Sequence, residues 1–325
     1  MATAEQIKAL IKSYIADDDA RFCAVAMQVA AHAARHGHGR LADELRALVD
    51  EAKSRAGTKQ RKSPVPIAAP RGELSEILNA SYPKVMIADM VLSDAMRQRL
   101  SRILREYRQQ HKLLSHGLAP RRKLLLTGPP GSGKTMTASA LSGELKLPLF
   151  VIQLDGLITR FMGETAVKLR LVFDAMNRTT GIYLFDEFDA IGSERTIGND
   201  VGEVRRILTS FLQLFDQDDS NSLIVAATNH GEVLDRALFR RFDDVIEYSL
   251  PTGELAREVL VNRLSTFDTK ALDWNRVLAS TEGLSYADIT RACEDAAKEA
   301  ILGGSTVITT ECFLNAIGER RSIPR

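Results

Sequence analysis

Eight consecutive residues constrain this chain more than any others: Gly128, Pro129, Pro130, Gly131, Ser132, Gly133, Lys134 and Thr135. They match the pattern G-x-x-x-x-G-K-[ST], in which backbone N–H groups cradle phosphate oxygens at a helix N-terminus. The setting suits that chemistry, because an apolar run of three leucines, 124–126, precedes the loop and a helical pattern opens at its end. Along 123–250 the alternation of strand, loop and helix repeats. Candidate strands fall at 123–127, 149–153, 182–185, 223–227 and 245–250. Several are apolar throughout, as strands covered on both faces are. Between them lies a helix with Val204, Ile207, Leu208, Phe211, Leu212 and Phe215 on one side. This pattern predicts an α/β fold, a five-stranded parallel sheet covered by helices on both faces.

Flanking this region, the pattern changes twice. Residues 1–56 read as a small helical bundle, with breaks at Asp17, Asp18 and Asp19 and again at Gly37, His38 and Gly39. The stretch 57–72 carries Pro64, Pro66 and Pro70 and reads as an extended, flexible linker. After Pro251 the strands stop. Residues 252–325 read as a helical domain whose best helix puts Ile289, Ala292, Cys293, Ala296, Ala297 and Ala300 on one stripe. The expected division is therefore 1–56, 57–72, 73–251 and 252–325.

Charge and composition exclude several classes. Of 325 residues, 43 are Lys or Arg and 42 are Asp or Glu, a formal net charge of +1. That balance disfavours a general nucleic-acid coat or a polybasic membrane anchor. No apolar run approaches the roughly 18 residues of a membrane helix. The first residues lack a basic segment followed by an apolar one, so the expected location is the cytoplasm. Cys23, Cys293 and Cys312 have no metal-ligand spacing and sit at apolar helical positions. His32, His36 and His38 cluster without an acidic or Cys ligand, which disfavours a metal site.

The loop's chemistry assigns Lys134 to the β- and γ-phosphates of a nucleotide and the Thr135 hydroxyl to Mg²⁺. Residues 128–136, Met136 included, form the expected cofactor-binding loop. The run Ile182, Tyr183, Leu184, Phe185 delivers Asp186 and Glu187 at a strand's C-terminal end, where ligands bind in open α/β sheets. Asp186 is placed to hold Mg²⁺, directly or through water, and Glu187 to polarise an attacking water.

With these motifs in hand, residues 123–300 resemble the AAA clade of the AAA+ ATPases, that of spastin, katanin and the ATPase module of FtsH, in a single-module, bacterial form. Asp186 to Gly192 is similar to the clade's D-E-I-D-x-I/L. Asn229, after Ala227 and Thr228, stands where the clade orients the lytic water. The segment around Arg240 and Arg241 resembles the one whose arginines reach the γ-phosphate of the next subunit. Gly283 to Ile289 resembles G-x-S-G-x-D-I at the start of a lid helix, with Ala287 near the nucleotide; Tyr286 replaces the usual Gly. Met90, Val91 and Leu92 replace a commoner Gly-containing stretch that meets the base. Gly202, Glu203, Val204, Arg205 and Arg206 resemble an inter-subunit signalling segment. Phe161, Met162 and Gly163 align with the loop that grips substrate in the ring's pore.

The resemblance implies an AAA+ module with a helical lid, binding ATP and Mg²⁺, assembling into a ring, expected to be a hexamer, and remodelling, unfolding or translocating protein. A separate protease or adaptor is an expected partner. Without the resemblance, Arg240 and Arg241 also fit a surface charge pair, the 202–206 segment a solvated helix start, and Phe161 a core side chain. Two rival readings stand. One is an ATPase acting with nucleic acid through a helix bearing Arg97, Arg99, Arg102, Arg105 and Arg108, whose apolar face carries Met96, Leu100, Ile103, Leu104 and Tyr107. That arginine face also reads as solvated surface, because no aromatics interleave for base stacking. The other is a binding module in which ATP sets a state.

Overall fold

The computed structural model describes residues 70, 72–154, 162–192 and 201–321, together with positions 26 and 29. The chain divides into two compact units, Met1–Ile67 and Ala68–Arg325. In the first, Ala26 and Val29 are helical. The rest of the bundle expected at 1–56, Cys23, the histidine cluster and nearly all of the 57–72 linker lie outside the described residues.

The second unit is built on a six-stranded sheet in the order β1-β3-β4-β5-β2-β6. Its strands are β1 (Leu78–Ser81), β2 (Lys123–Thr127), β3 (Leu149–Ile152), β4 (Ile182–Phe185), β5 (Leu223–Thr228) and β6 (Asp244–Glu247). Neighbours from β3 to β6 pair in parallel, with Leu184 opposite Val225 and Thr127 opposite Thr228. The five strands expected from sequence are present, although the last begins and ends earlier than 245–250. To the five parallel strands expected, the structure adds a sixth at one edge, where β1 pairs antiparallel to β3. Four residues, Leu-Asn-Ala-Ser, with one fully buried side chain carry no periodicity to announce a strand.

The longer helices are α1 (Asp94–Arg108), α2 (Lys134–Leu145), α3 (Met162–Arg178), α4 (Val201–Gln217), α5 (Gly253–Arg263), α6 (Trp274–Ser280), α7 (Tyr286–Leu302) and α8 (Thr310–Arg321). Alternate residues of β2 to β6 feed two different cores, as the pleat requires. Tyr183 and Phe185 of β4 join Phe173, Phe188, Phe211 and Phe215 on the face covered by α3 and α4. Ile182 and Leu184 join Leu100, Ile103, Leu104 and Leu141 on the face covered by α1 and α2. Helices α5 to α8 enclose a third core around Leu260, Val277, Ile289, Cys293 and Phe313.

The apolar side of α1 is buried as its spacing predicts. On its other side, Arg99 pairs with Asp244 and Arg108 with Glu144, so two of the five arginines are engaged within the chain. Among the described residues, no helix is long and apolar enough to cross a membrane.

Candidate nucleotide-binding site

The loop between β2 and α2 holds its shape through glycines with left-handed backbones. Gly128, at φ +140°, lies so close to β6's end that an added Cβ would sit 2.3 Å from the Tyr248 carbonyl oxygen. Gly131, at φ +70°, would place a Cβ 2.5 Å from Ser285 Oγ. Only a residue without a side chain fits either position.

Lys134 is 6% exposed, and its Nζ donates to Gly128 O (2.7 Å), Pro129 O (2.9 Å) and Asn229 Oδ1 (2.7 Å). Burial lowers its pKa, while the nearby Asp186 and Asp189 oppose that shift. The ammonium is thus bonded to its own loop and to the end of β5. Thr135 Oγ1 donates to Asp186 Oδ2 at 2.8 Å, bringing a hydroxyl and a carboxylate together. Two hard oxygen donors on adjacent elements, with room for waters and phosphate oxygens, fit Mg²⁺, which is commonly held by few protein ligands.

Glu187 has φ +52°, a left-handed conformation rarely taken by a residue with a side chain. It is held there from both sides. Its N–H donates to Asp186 Oδ1 at 3.0 Å. The next residue, Phe188, is fully buried and donates its N–H to Ala227 O at 2.9 Å. The result is an exposed carboxylate at the rim of the cleft. Nearby, Thr228 Oγ1 donates to Asp189 Oδ1 at 2.7 Å and accepts from His230 N–H at 3.0 Å, fixing the turn that presents Asn229.

The lid closes the other side. Ser285 caps α7 and shares a capping box with Asp288, and the Ala287 N–H donates to Gly131 O at 3.1 Å. The resulting cleft, of about 540 Å³, gathers residues 130–136, Asp186, Glu187, Asn229 and Ala287. Gly128 and Pro129 stand behind it, holding Lys134. Sequence reasoning missed Arg263, Arg291 and Glu294, which line the cleft from α5 and α7. On α7 the signal was available: 287, 290, 291 and 294 share the face opposite the buried stripe at 289, 292, 293 and 296.

The structure does not bring every candidate to this cleft. Arg240 follows a one-turn helix, Arg236–Phe239, and is exposed. Arg241 donates through Nε to Asp216 Oδ2 at 2.9 Å. Neither lines the cleft. Phe161 lies outside the described residues, as do the side chains of Met162 and Gly163, where α3 opens. In the 202–206 segment only the side chain of Arg206 is described, and it is exposed.

A phosphate-cradling loop, a hydroxyl–carboxylate pair and a second carboxylate at the C-terminal edge of a parallel sheet define a nucleotide-hydrolysing α/β domain. A sequence profile of the ATPase family associated with various cellular activities (AAA) matches residues 124–250. The uncharacterized AAA family ATPase y4kL of Sinorhizobium fredii is 33% identical over 302 residues, covering 93% of this chain and 90% of that protein. The chain belongs to the AAA family and is an ATPase. The proteasome-activating nucleotidase of Thermococcus onnurineus is 36% identical over 209 residues, 62% of this chain and 52% of the nucleotidase. Spastin of Drosophila willistoni is 35% identical over 239 residues, 70% of this chain and 30% of spastin. The match thus spans about half of the nucleotidase and less than a third of spastin. The FIGL-1 AAA domain, 24% identical, superposes with a TM-score of 0.62 over 82% of this chain and 94% of that one, which shows the shared fold.

Proposed function

We propose that the chain is a Mg²⁺-dependent ATPase that works as a cytoplasmic ring, a hexamer, and uses hydrolysis to remodel or translocate protein substrates. The observation that carries this reading is the convergence of Lys134, Thr135, Asp186, Glu187 and Asn229 on one cleft, with Arg240 exposed on a separate element. Lys134 exchanges its carbonyl partners for phosphate oxygens when ATP enters. Thr135 and Asp186 hold Mg²⁺, which neutralises charge on the phosphates when bound. Glu187 polarises the attacking water and Asn229 orients it. Arg240, with Arg241 behind it, serves the pocket of the next subunit, since a guanidinium stabilises phosphate charge and stays protonated.

A protein substrate is supported by the relatives named as a proteasome-activating nucleotidase and as spastin, and by the Phe161, Met162 and Gly163 segment as a pore-loop paddle. In this scheme 1–56 recognises substrate, 57–72 tethers it, 73–251 is the catalytic subdomain and 252–325 the lid, with a separate protease or adaptor as partner. The nucleic-acid reading is weaker, because Arg99 and Arg108 of α1 are already paired within the chain. Glu187→Gln tests the proposal. It should bind ATP, lose turnover and retain protein substrate in a pull-down, whereas Lys134→Ala should bind no nucleotide. Near-normal turnover by the Gln variant, or ATPase stimulation by DNA and not by unfolded protein, would overturn it.

A further inference from the structure

Tyr286 stands where the lid meets the phosphate loop. The neighbouring bond from Ala287 N–H to Gly131 O, and the packing of Gly131 against Ser285, tie the backbone at Tyr286 to the loop. Its side chain lines the 540 Å³ cleft and also an adjoining cavity of about 80 Å³. The two spaces differ in chemistry. The cleft carries Lys134, Asp186 and Glu187, whereas the smaller cavity has apolar walls at Met90, Val91, Met136 and Val259 and a polar edge at Asp89, Asn262 and Arg263. They share Ser132, Gly133, Met136, Arg263, Tyr286 and Thr290. A nucleotide with its phosphates in the loop therefore has this space, apolar on one side and polar at its edge, next to the point where its organic part leaves.

A second observation falls at the same junction. Ser132 is 4% exposed, lines both spaces, and its Oγ has no hydrogen-bond partner among the described residues. A buried hydroxyl without a partner is costly, and a ligand spanning the two spaces would supply one.

We propose that Tyr286 is a specificity-determining residue: its ring is the stacking wall for a purine base in the smaller cavity, with Met90 and Met136 as further apolar walls. This rests on the ATP reading of the cleft. The contribution comes from the ring. Burial and the nearby Glu258 raise the pKa of the Tyr286 hydroxyl, so it stays neutral and offers no charge to phosphate.

The test is calorimetric titration of the full chain with ATP, CTP and inorganic tripolyphosphate, all with Mg²⁺. Tyr286→Ala should weaken ATP binding by about 10-fold, within the range of base–aromatic stacking. Tripolyphosphate, which has no base, should change less than twofold, and the preference for ATP over CTP should shrink. Tyr286→Phe should match the unaltered chain, which separates loss of the ring from loss of the hydroxyl. Unchanged or tighter ATP binding by Tyr286→Ala, or an equal loss for ATP and tripolyphosphate, would overturn the proposal. If instead the unaltered chain bound none of the three, or Lys134→Ala bound them all normally, the reading of the cleft itself would fail and this inference with it.

Discussion

Replacing Arg240 and Arg241 one at a time separates two side chains that are adjacent in sequence but differ in surroundings. Arg241 is engaged within its own chain, through Nε to Asp216 Oδ2 at 2.9 Å and through Nη1 to Ala237 O at 3.2 Å. Arg240 is exposed, and its side chain has no partner among the described residues. The Arg241–Asp216 pair is 36% and 49% exposed, so breaking it costs at most about 1 kcal/mol of folding stability. A phosphate-contacting arginine supplied by a neighbour is worth ~10³ or more in rate, about 4 kcal/mol of barrier. Arg240→Ala should therefore bind ATP and lose turnover by about 10³-fold. Arg241→Ala removes a brace, and should fall by no more than about 10-fold, with Asp216→Ala matching it. The assay is steady-state ATP turnover at saturating ATP across a range of protein concentrations. Mixing Arg240→Ala with Lys134→Ala protein should restore part of the rate, because a mixed interface can pair an intact pocket with an intact arginine. An Arg241→Ala loss as large as that of Arg240→Ala, with Asp216→Ala unaffected, would refute the reasoning. It would mean that Arg241 leaves Asp216 to do the chemistry itself.

Phe161→Ala should leave basal ATPase largely intact and sharply reduce unfolding of a tagged substrate; parallel loss of both, with a lowered melting temperature, would identify a core side chain instead. Phe211 packs against Phe173, Phe185, Phe188 and Phe215 with ring centroids 5.1–5.9 Å apart, so Phe211→Ala should destabilise by about 3–5 kcal/mol, read by thermal melting. Gly131→Ala forces a Cβ to within 2.5 Å of Ser285 Oγ at φ +70°. It should weaken ATP binding by roughly 10-fold or more, from about 1–2 kcal/mol of left-handed backbone strain plus the lid contact; unchanged affinity would show that loop and lid adjust freely.

The parts of the fold that could be read from sequence are those where burial is uniform or periodic. β4 and β5 are apolar along their lengths because both faces are covered, and the stripe of α7 recurs at helical spacing. β1 escaped notice because an edge strand of four residues buries too little to leave a pattern. At the cleft, a fixed motif made residues 128–135 legible, and the position of Asp186 and Glu187 after an apolar strand made that pair legible. Arg263 was not, because an exposed charge on an amphipathic helix looks the same whether it faces solvent or a ligand; Arg291 and Glu294 could be read only through the face of α7 they share with Ala287. The difference between Arg240 and Arg241 was equally invisible, since it depends on Asp216, which another helix brings within reach.

The cleft is built from two halves with separate cores. Asp186, Glu187 and Asn229 hang from the ends of β4 and β5, whose residues are buried almost without exception and packed on both faces. The lid has a core of its own and meets the loop at Ala287 and Gly131. Close-packed contacts pass on displacements instead of absorbing them. At Gly131 there is no slack, because even a methyl group would collide with Ser285. The N-terminus of α7 is therefore the part of the helical region in direct contact with the phosphate loop, while the carboxylates are carried by strand ends packed on both faces. The groups proposed for hydrolysis thereby sit on the sheet, and the contact between Gly131 and Ala287 joins them to a helical part with a core of its own.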